Sequence, residues 1–213
     1  KKSKKVWFEM DLDDPKIMME IAAGMMDPSG KQLKTYFTPA QYKKLGQYVQ
    51  DILHMDISTL ATVRPIMLAS IIEVKKMKCA NPVSYEENIM KAAQDAGKEI
   101  LGLEDPKDQL AALKSIPVDT VIKGIIDIIE GNEQENDELK KLVAAYVKQD
   151  LPALHTMITS STDLEGGMGM LLDDRNKKWI PRIKEGMSKS SVFFAVGAGH
   201  LSGDNGIITL LRK

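Results

Sequence analysis

The chain has 213 residues, with 29 Lys and Arg against 30 Asp and Glu, a formal net charge of −1. That balance excludes a protein whose main task is coating nucleic acid or an anionic membrane, since both select a basic excess. Hydrophobic residues make up 43% and charged residues 28%, an ordinary globular balance that excludes disorder as a global description and, at this length, favours one large domain.

Met contributes 13 residues and aromatics only 5%, which predicts a core of aliphatic and thioether side chains. The single cysteine, Cys79, excludes an intrachain disulfide and a cysteine-rich zinc site and says nothing of compartment. No apolar run approaches the ~20 residues that span a bilayer. The chain opens on Lys1-Lys2-Ser3-Lys4-Lys5 without an initiator Met, and reads as an excerpt with room for a targeting signal upstream.

From Val6 to Leu12 the sequence alternates, with Val6, Phe8, Met10 and Leu12 on one side and Trp7, Glu9 and Asp11 on the other. This predicts a strand with one apolar face. Asp14-Pro15 opens a Met-rich helix through Ile17, Met18, Ile21 and Met25 that stops near the turn Asp27-Pro28-Ser29-Gly30. Thr38-Pro39-Ala40-Gln41 reads as N-cap, first-turn proline and capping-box glutamine. The helix it opens carries Tyr42, Leu45, Val49, Ile52 and Leu53 on one face. Residues 57–77 form another apolar helical region, broken at Arg64-Pro65.

Ser84-Tyr85-Glu86-Glu87 is a second capping box, and Gly97 is placed to end its helix. Lys98 to Leu103 predicts a short buried strand, and Asp105-Pro106 starts the next helix. From about 118 to 160 the pattern is nearly all helical. One stripe holds Val121, Ile122, Ile125, Ile126 and Ile129, and another holds Leu139, Leu142, Val143, Tyr146 and Val147. The polar run from Gly131 to Asp137 between them reads as a solvated loop. Asp173-Asp174-Arg175-Asn176 precedes a helix bearing Trp179, Ile180, Ile183 and Met187. Ser191 to Val196 is continuously apolar, the pattern of a strand covered on both faces. It runs into Gly197-Ala198-Gly199-His200-Leu201 and a last helix from Ile207 to Leu211. The fold class is α/β, helix-rich, around a small sheet.

The strand–turn–helix at His200 is the sharpest chemical feature. In an open α/β sheet, ligands collect at the carboxyl ends of strands, and glycines at 197 and 199 permit a tight turn and close approach. His200 is a candidate metal ligand or general base that, as a turn residue at a crevice, contributes little packing; the plain alternative is a histidine packed in a βα turn, donating one hydrogen bond to a carbonyl. Glu9 needs a partner if its strand is central and is solvated if the strand is an edge, and both stay open. Glu104 either lines the crevice of His200 or is a helix-entry acid favoured by the helix dipole, with the second preferred. Arg64 and Arg175 are candidates for binding a carboxylate or phosphate, or for pairing with a structural acid. Asn176 either serves the site or caps its helix. His54 and His155, in amphipathic helices, read as surface or satisfied residues. Cys79, near Lys75, Lys76 and Lys78, has no second catalytic signature and reads as inert. Gly166-Gly167-Met168-Gly169 lacks the Lys-Ser/Thr of a phosphate loop.

Several segments together resemble the TraB/PrgY/GumN family, which includes TIKI-type metalloproteases. They are Trp7-Phe8-Glu9-Met10-Asp11-Leu12, Arg64-Pro65, the stretch from Asn88 to Glu104 with Gln109 five residues on, Arg175-Asn176-Lys177-Lys178-Trp179, and the stretch from Val196 to Gly206. The resemblance implies one α/β domain over residues 1–213, with active-centre residues on strand ends and without the family's N-terminal and last strands. Its active centre uses two Gly-x-x-His motifs and a strand glutamate. Gly197-Ala198-Gly199-His200 matches the second motif and Glu9 the glutamate, while no histidine precedes His54 to supply the first.

The function so implied is a metal-dependent, peptidase-like hydrolase acting on peptides or exported proteins. Glu9, His200, Arg175 and Asn176 form its catalytic group, with Arg64, Glu104, Gly197 and Gly199 around the substrate. Glu9 and His200 hold the divalent ion (Mn, Co or Zn), so both should lie on the same edge of one sheet. The implied setting is extracytoplasmic and bacterial, as a periplasmic, secreted or lipid-anchored protein that meets the membrane only through an upstream anchor and binds no nucleic acid. A rival from another class is a non-enzymatic protein that sequesters a peptide signal in the same cleft.

Overall fold

A computed structural model describes residues 2–76, 82–131, 137–160 and 169–213. Cys79, Gly166 to Met168 and residues 132–136 of the polar run lie outside the described residues. The helices are α1 (Pro15–Gly24), α2 (Pro39–Leu53), α3 (Pro65–Lys76), α4 (Tyr85–Asp95), α5 (Pro106–Lys114), α6 (Val118–Glu130), α7 (Asp137–Val147), α8 (Leu151–Thr159), α9 (Asp174–Lys189) and α10 (Ile207–Arg212). The strands are β1 (Lys5–Phe8), β2 (Glu99–Gly102) and β3 (Val192–Ala195). None of the described helices is long and apolar enough to cross a membrane. The chain divides into a sheet unit of Lys1–Glu20, Val83–Ser115 and Glu138–Lys213, and a helical unit of Ile21–Pro82 and Ile116–Asp137.

In the sheet unit all pairings are parallel and the strand order is β2-β1-β3. The predicted alternation separates Val6 and Phe8 from Trp7, but β1 is central and packed on both faces rather than carrying one apolar face. Val6 and Phe8 pack with Ile100, Ala195 and the Ile89, Met90 and Ala93 side chains of α4 on one face. Trp7 and Phe194 join Leu103, Trp179, Ile183 and Ile207 on the other. The helix-rich α/β architecture expected from the sequence is therefore present.

Two strand expectations need correction. The first strand ends at Phe8, not Leu12, because the chain turns across the end of β2 after Glu9. A β-carbon on Gly102 would stand 2.6 Å from the Asp11 backbone nitrogen, so only glycine admits that crossing. Glu9 is thus not inside a strand but just past the end of the central one. β3 is an edge strand rather than one covered on both faces. The apolar cover that reaches Ala195 leaves Phe193 47% exposed. The predicted stripe on α7 is also turned outward: Val143, Tyr146 and Val147 are exposed, and Ala145 is buried instead.

The helical unit follows its sequence more closely. The Thr38 hydroxyl accepts the Gln41 N–H while the Thr38 N–H donates to the Gln41 side chain, the reciprocal box expected at the start of α2. Leu45 and Val49 of α2 pack with Leu68 and Ile72 of α3 and Ile122 and Ile125 of α6. The described part of the 57–77 region, residues 57–76, holds a short 3-10 turn, Ile57–Leu60, followed by α3. At Ser84, in the sheet unit, only half the predicted box forms. Ser84 caps Glu87 N–H, but its hydroxyl donates to Glu86.

Candidate active site at the carboxyl edge of the sheet

Parallel strands point their carboxyl ends the same way, so the residues that follow them gather at one edge. Glu9 directly follows β1, Glu104 is the second residue after β2, and His200 lies on the 3-10 turn Ala198–His200 after β3. The backbone ties these ends together: the Leu103 N–H donates to the Phe8 carbonyl at 2.9 Å and the Glu104 N–H to the Glu9 carbonyl at 2.9 Å. The Gly197 N–H donates to Glu9 Oε1 at 2.8 Å. Glu9 Oε1 and His200 Nε2, from opposite ends of the sequence, stand 3.8 Å apart.

Arg175, on the first turn of α9, joins the three strand ends. Its Nε lies 3.1 Å from both oxygens of Glu104, and its Nη2 donates to Glu104 Oε1 at 2.6 Å and Glu9 Oε2 at 2.7 Å. Nη1 donates to the Leu171 carbonyl at 3.0 Å and faces His200 Nε2 at 3.3 Å. A guanidinium has five N–H donors, and here each has an acceptor. Burial works to discharge Arg175, but the hydrogen bonds and charge of Glu104 and then Glu9 outweigh it and raise its pKa further. Glu104 is therefore not the preferred helix-entry acid. Both its oxygens are taken by side chains, including the Trp179 indole N–H at 3.0 Å.

Asn176 does not cap α9 either, because it lies inside the first turn. Its Nδ2 donates to the carbonyls of His200 and Asn205, leaving Oδ1 to accept from His200 Nδ1 at 2.7 Å. That network assigns the ring proton to Nδ1 and leaves Nε2 with a lone pair towards Arg175 and Glu9. Burial pushes the His200 pKa down to about 4; the Glu9 charge opposes the shift and Arg175 adds to it. The expectation that this turn histidine contributes little packing fails: it is buried, with its ring 4.5 Å from that of Trp179.

Other predicted positions separate. A β-carbon on Gly197 would lie 3.3 Å from Glu9 Oε1, while Gly199 packs against Ile158 and Leu172. Arg64 belongs to the helical unit, where its Nε donates to the Met26 carbonyl at 3.0 Å. His54 is the exposed, left-handed cap of α2 with φ 56°. His155, passed over in the sequence, lines a cavity of about 250 Å³ with Asp173, Asn176, Ser202 and Asn205. Trp179 was also missed as a site residue. Its spacing four residues after Arg175 was the available signal, since i and i+4 side chains meet on a helix, and Arg175 lies 4.8 Å from the Trp179 ring centroid.

A divalent ion requires several free donors, normally three protein ligands in a catalytic site. Among the described residues no group of three or more His, Cys, Asp or Glu side chains is placed to hold one. The donors that do converge, on Glu9, Glu104 and His200, converge on the guanidinium. As arranged, they do not fit a metal ion.

The model of the TraB/PrgY/gumN family matches residues 1–213. Among curated proteins, the chain is similar to one named metalloprotease TIKI2 from Danio rerio, at 22% identity over 266 residues. That alignment covers 99% of this chain and 51% of TIKI2, so the chain spans about half the length of this relative. No solved structure matches the chain. With the family match running from the first residue to the last, through both the Glu9 and the His200 segments, the chain belongs to the TraB/PrgY/gumN family.

Proposed function

We propose that this chain carries the hydrolytic centre of a peptidase-like enzyme acting on peptides or exported proteins. The observation that carries the reading is the unequal exposure of the cluster at the sheet edge. The Glu9 side chain is 22% exposed, against 3% for Glu104, 8% for Arg175 and 5% for His200. Glu9 also lines a cavity of about 160 Å³ with Phe8, Met10, Leu12, Glu86, Gln109 and Ala195. Similarity to a protein named a metalloprotease supports hydrolysis as the reaction class.

In this reading Glu9 is the catalytic base. A water donating to Glu9 Oε1 loses that proton to Glu9 as its oxygen attacks the peptide carbonyl carbon. Glu9 then returns the proton to the amine nitrogen as the C–N bond breaks. Arg175 and Glu104 fix the Glu9 carboxylate, and Asn176 fixes the His200 ring; both are positioning roles. A metal-assisted version with Mn, Co or Zn needs a third ligand beyond Glu9 and His200. An extracytoplasmic setting, secreted or lipid-anchored, belongs to the same proposal.

The commitment of every Arg175 N–H favours a second reading, in which the crevice binds a peptide signal without cleaving it. Incubation with a defined peptide mixture, followed by mass spectrometry, separates the two. New termini that disappear with Glu9→Gln support hydrolysis. Saturable peptide binding with no new termini supports sequestration.

A further inference from the structure

We propose that Arg175 is the resident cation of this centre: its guanidinium sits where the Glu9 and Glu104 carboxylates and His200 Nε2 converge, and it excludes a divalent metal ion from those donors. The inference concerns what occupies the centre and stands whether the crevice hydrolyses peptides or only binds them.

Three observations carry it. First, the set is fully matched. Five N–H donors meet two oxygens of Glu104, one of Glu9, the Leu171 carbonyl and His200 Nε2, all within 3.3 Å. Second, the guanidinium is held from behind. It lies over the Trp179 ring at 4.8 Å, and Trp179 itself is anchored by its indole N–H on Glu104. Moving Arg175 aside would leave buried Glu104 facing no cation, which is costly.

Third, the room between the two expected ligands is of metal size but next to a fixed positive charge. Ligand bonds of about 2.0–2.2 Å would put an ion between Glu9 Oε1 and His200 Nε2, which are 3.8 Å apart. Arg175 Nη1 is already 3.3 Å from that nitrogen and Nη2 2.7 Å from the other Glu9 oxygen. Like charges this close in a buried setting repel strongly. The donor atoms suit a cation, and the chain supplies one itself.

The test is titration of the 213-residue chain and of Arg175→Gln with Co²⁺, following the visible absorption of the bound ion and the stoichiometry by calorimetry. The wild-type chain should show no saturable uptake. Arg175→Gln, which removes the fixed positive charge beside Glu9 Oε1 and His200 Nε2, should gain saturable uptake of one ion. A merely structural arginine would not turn into a metal site on removal. Stoichiometric uptake by the wild-type chain, lost in His200→Ala, would overturn the proposal, and so would a folded Arg175→Gln that gains nothing. Should that variant not fold, paramagnetic broadening of the His200 ring ¹⁵N signals in wild type decides instead. Signals unmoved by Co²⁺ support the proposal, and their selective loss overturns it.

Discussion

The two units bury different chemistry. The core of the helical unit, from Leu33 through Ile125, is apolar throughout. All four buried polar or charged residues among those described, Glu104, Arg175, Asn176 and His200, belong to the sheet unit. Burying charge is costly unless every group is paired, so a chain that confines it to one sheet edge keeps that edge for something other than stability. The helical unit shows that the same chain can build a core without it.

The sharpest way to break this contrast is to unpair the buried charges. Arg175→Met leaves Glu104 and Glu9 without their cation and should cost about 3–5 kcal/mol of folding free energy, read as a fall in urea midpoint. If Arg175→Met is nearly neutral, the cluster is not held by its ion pairs. Leu45→Ala, in the fully buried α2 face of the helical unit, should cost about 2–5 kcal/mol through transfer and cavity formation. Among the described residues the side chains packed around that core are apolar or phenolic, and phenols ordinarily titrate only near about pH 10, so its cost should be the same at pH 5 and pH 8. A cost that varies with pH would mean the apolar and polar regions are coupled.

The sheet unit should, by contrast, feel acid. Burial holds the folded His200 pKa at about 4, from an ordinary 6.5. Between those values the unfolded chain binds more protons than the folded one. The His200 contribution is therefore complete above pH 6.5 and shrinks as the pH falls towards 4, by on the order of 3 kcal/mol. Urea midpoints from pH 7 to pH 4.5 in wild type and His200→Gln check this: the wild-type slope should be the steeper. Parallel slopes would remove His200 as the acid-sensitive group.

An effect of opposite sign, reduced by solvent screening because the side chain is only partly buried, belongs to Asp11. Its pKa is pushed up to about 7 by burial first, then by the hydrogen bond and charge of Asp13, and its Oδ1 has no hydrogen-bond partner. Here the folded chain binds the extra proton, so stability is lost as the pH rises from 3.8 through 7. Asp11→Asn should gain in thermal midpoint over wild type at pH 8 and gain little at pH 4. An equal gain at both would point to hydrogen bonding rather than charge.

The contrast also explains what the sequence disclosed. Periodicity marks apolar faces, so the stripe of Ile122 and Ile125, the Thr38 box and the alternation at Val6 and Phe8 were all legible. The same rule misplaced α7, where Val143 and Val147 follow helical spacing yet face outward, because periodicity cannot say whether a stripe finds a neighbour. The turn at Asp11 over Gly102 is a tertiary contact with no local signature, which is why β1 looked longer than it is. The strand-end logic and the family motifs singled out Glu9, Arg175, Asn176 and His200, which the fold brings together at the carboxyl edge of the sheet. They did not disclose that Glu104 and Arg175 face each other across 71 positions, nor that Trp179 completes the pair. Arg64 shared the family motifs but bonds a carbonyl in the helical unit.

The central claim is that the least buried carboxylate of this cluster, Glu9, does the chemistry. Glu9→Gln removes the base while keeping the shape and one acceptor for the Arg175 and Gly197 donors. Single-turnover peptide cleavage should fall by roughly 10²–10⁴-fold, with the circular dichroism spectrum unchanged. Cleavage by a folded Glu9→Gln chain at the wild-type rate would contradict the account.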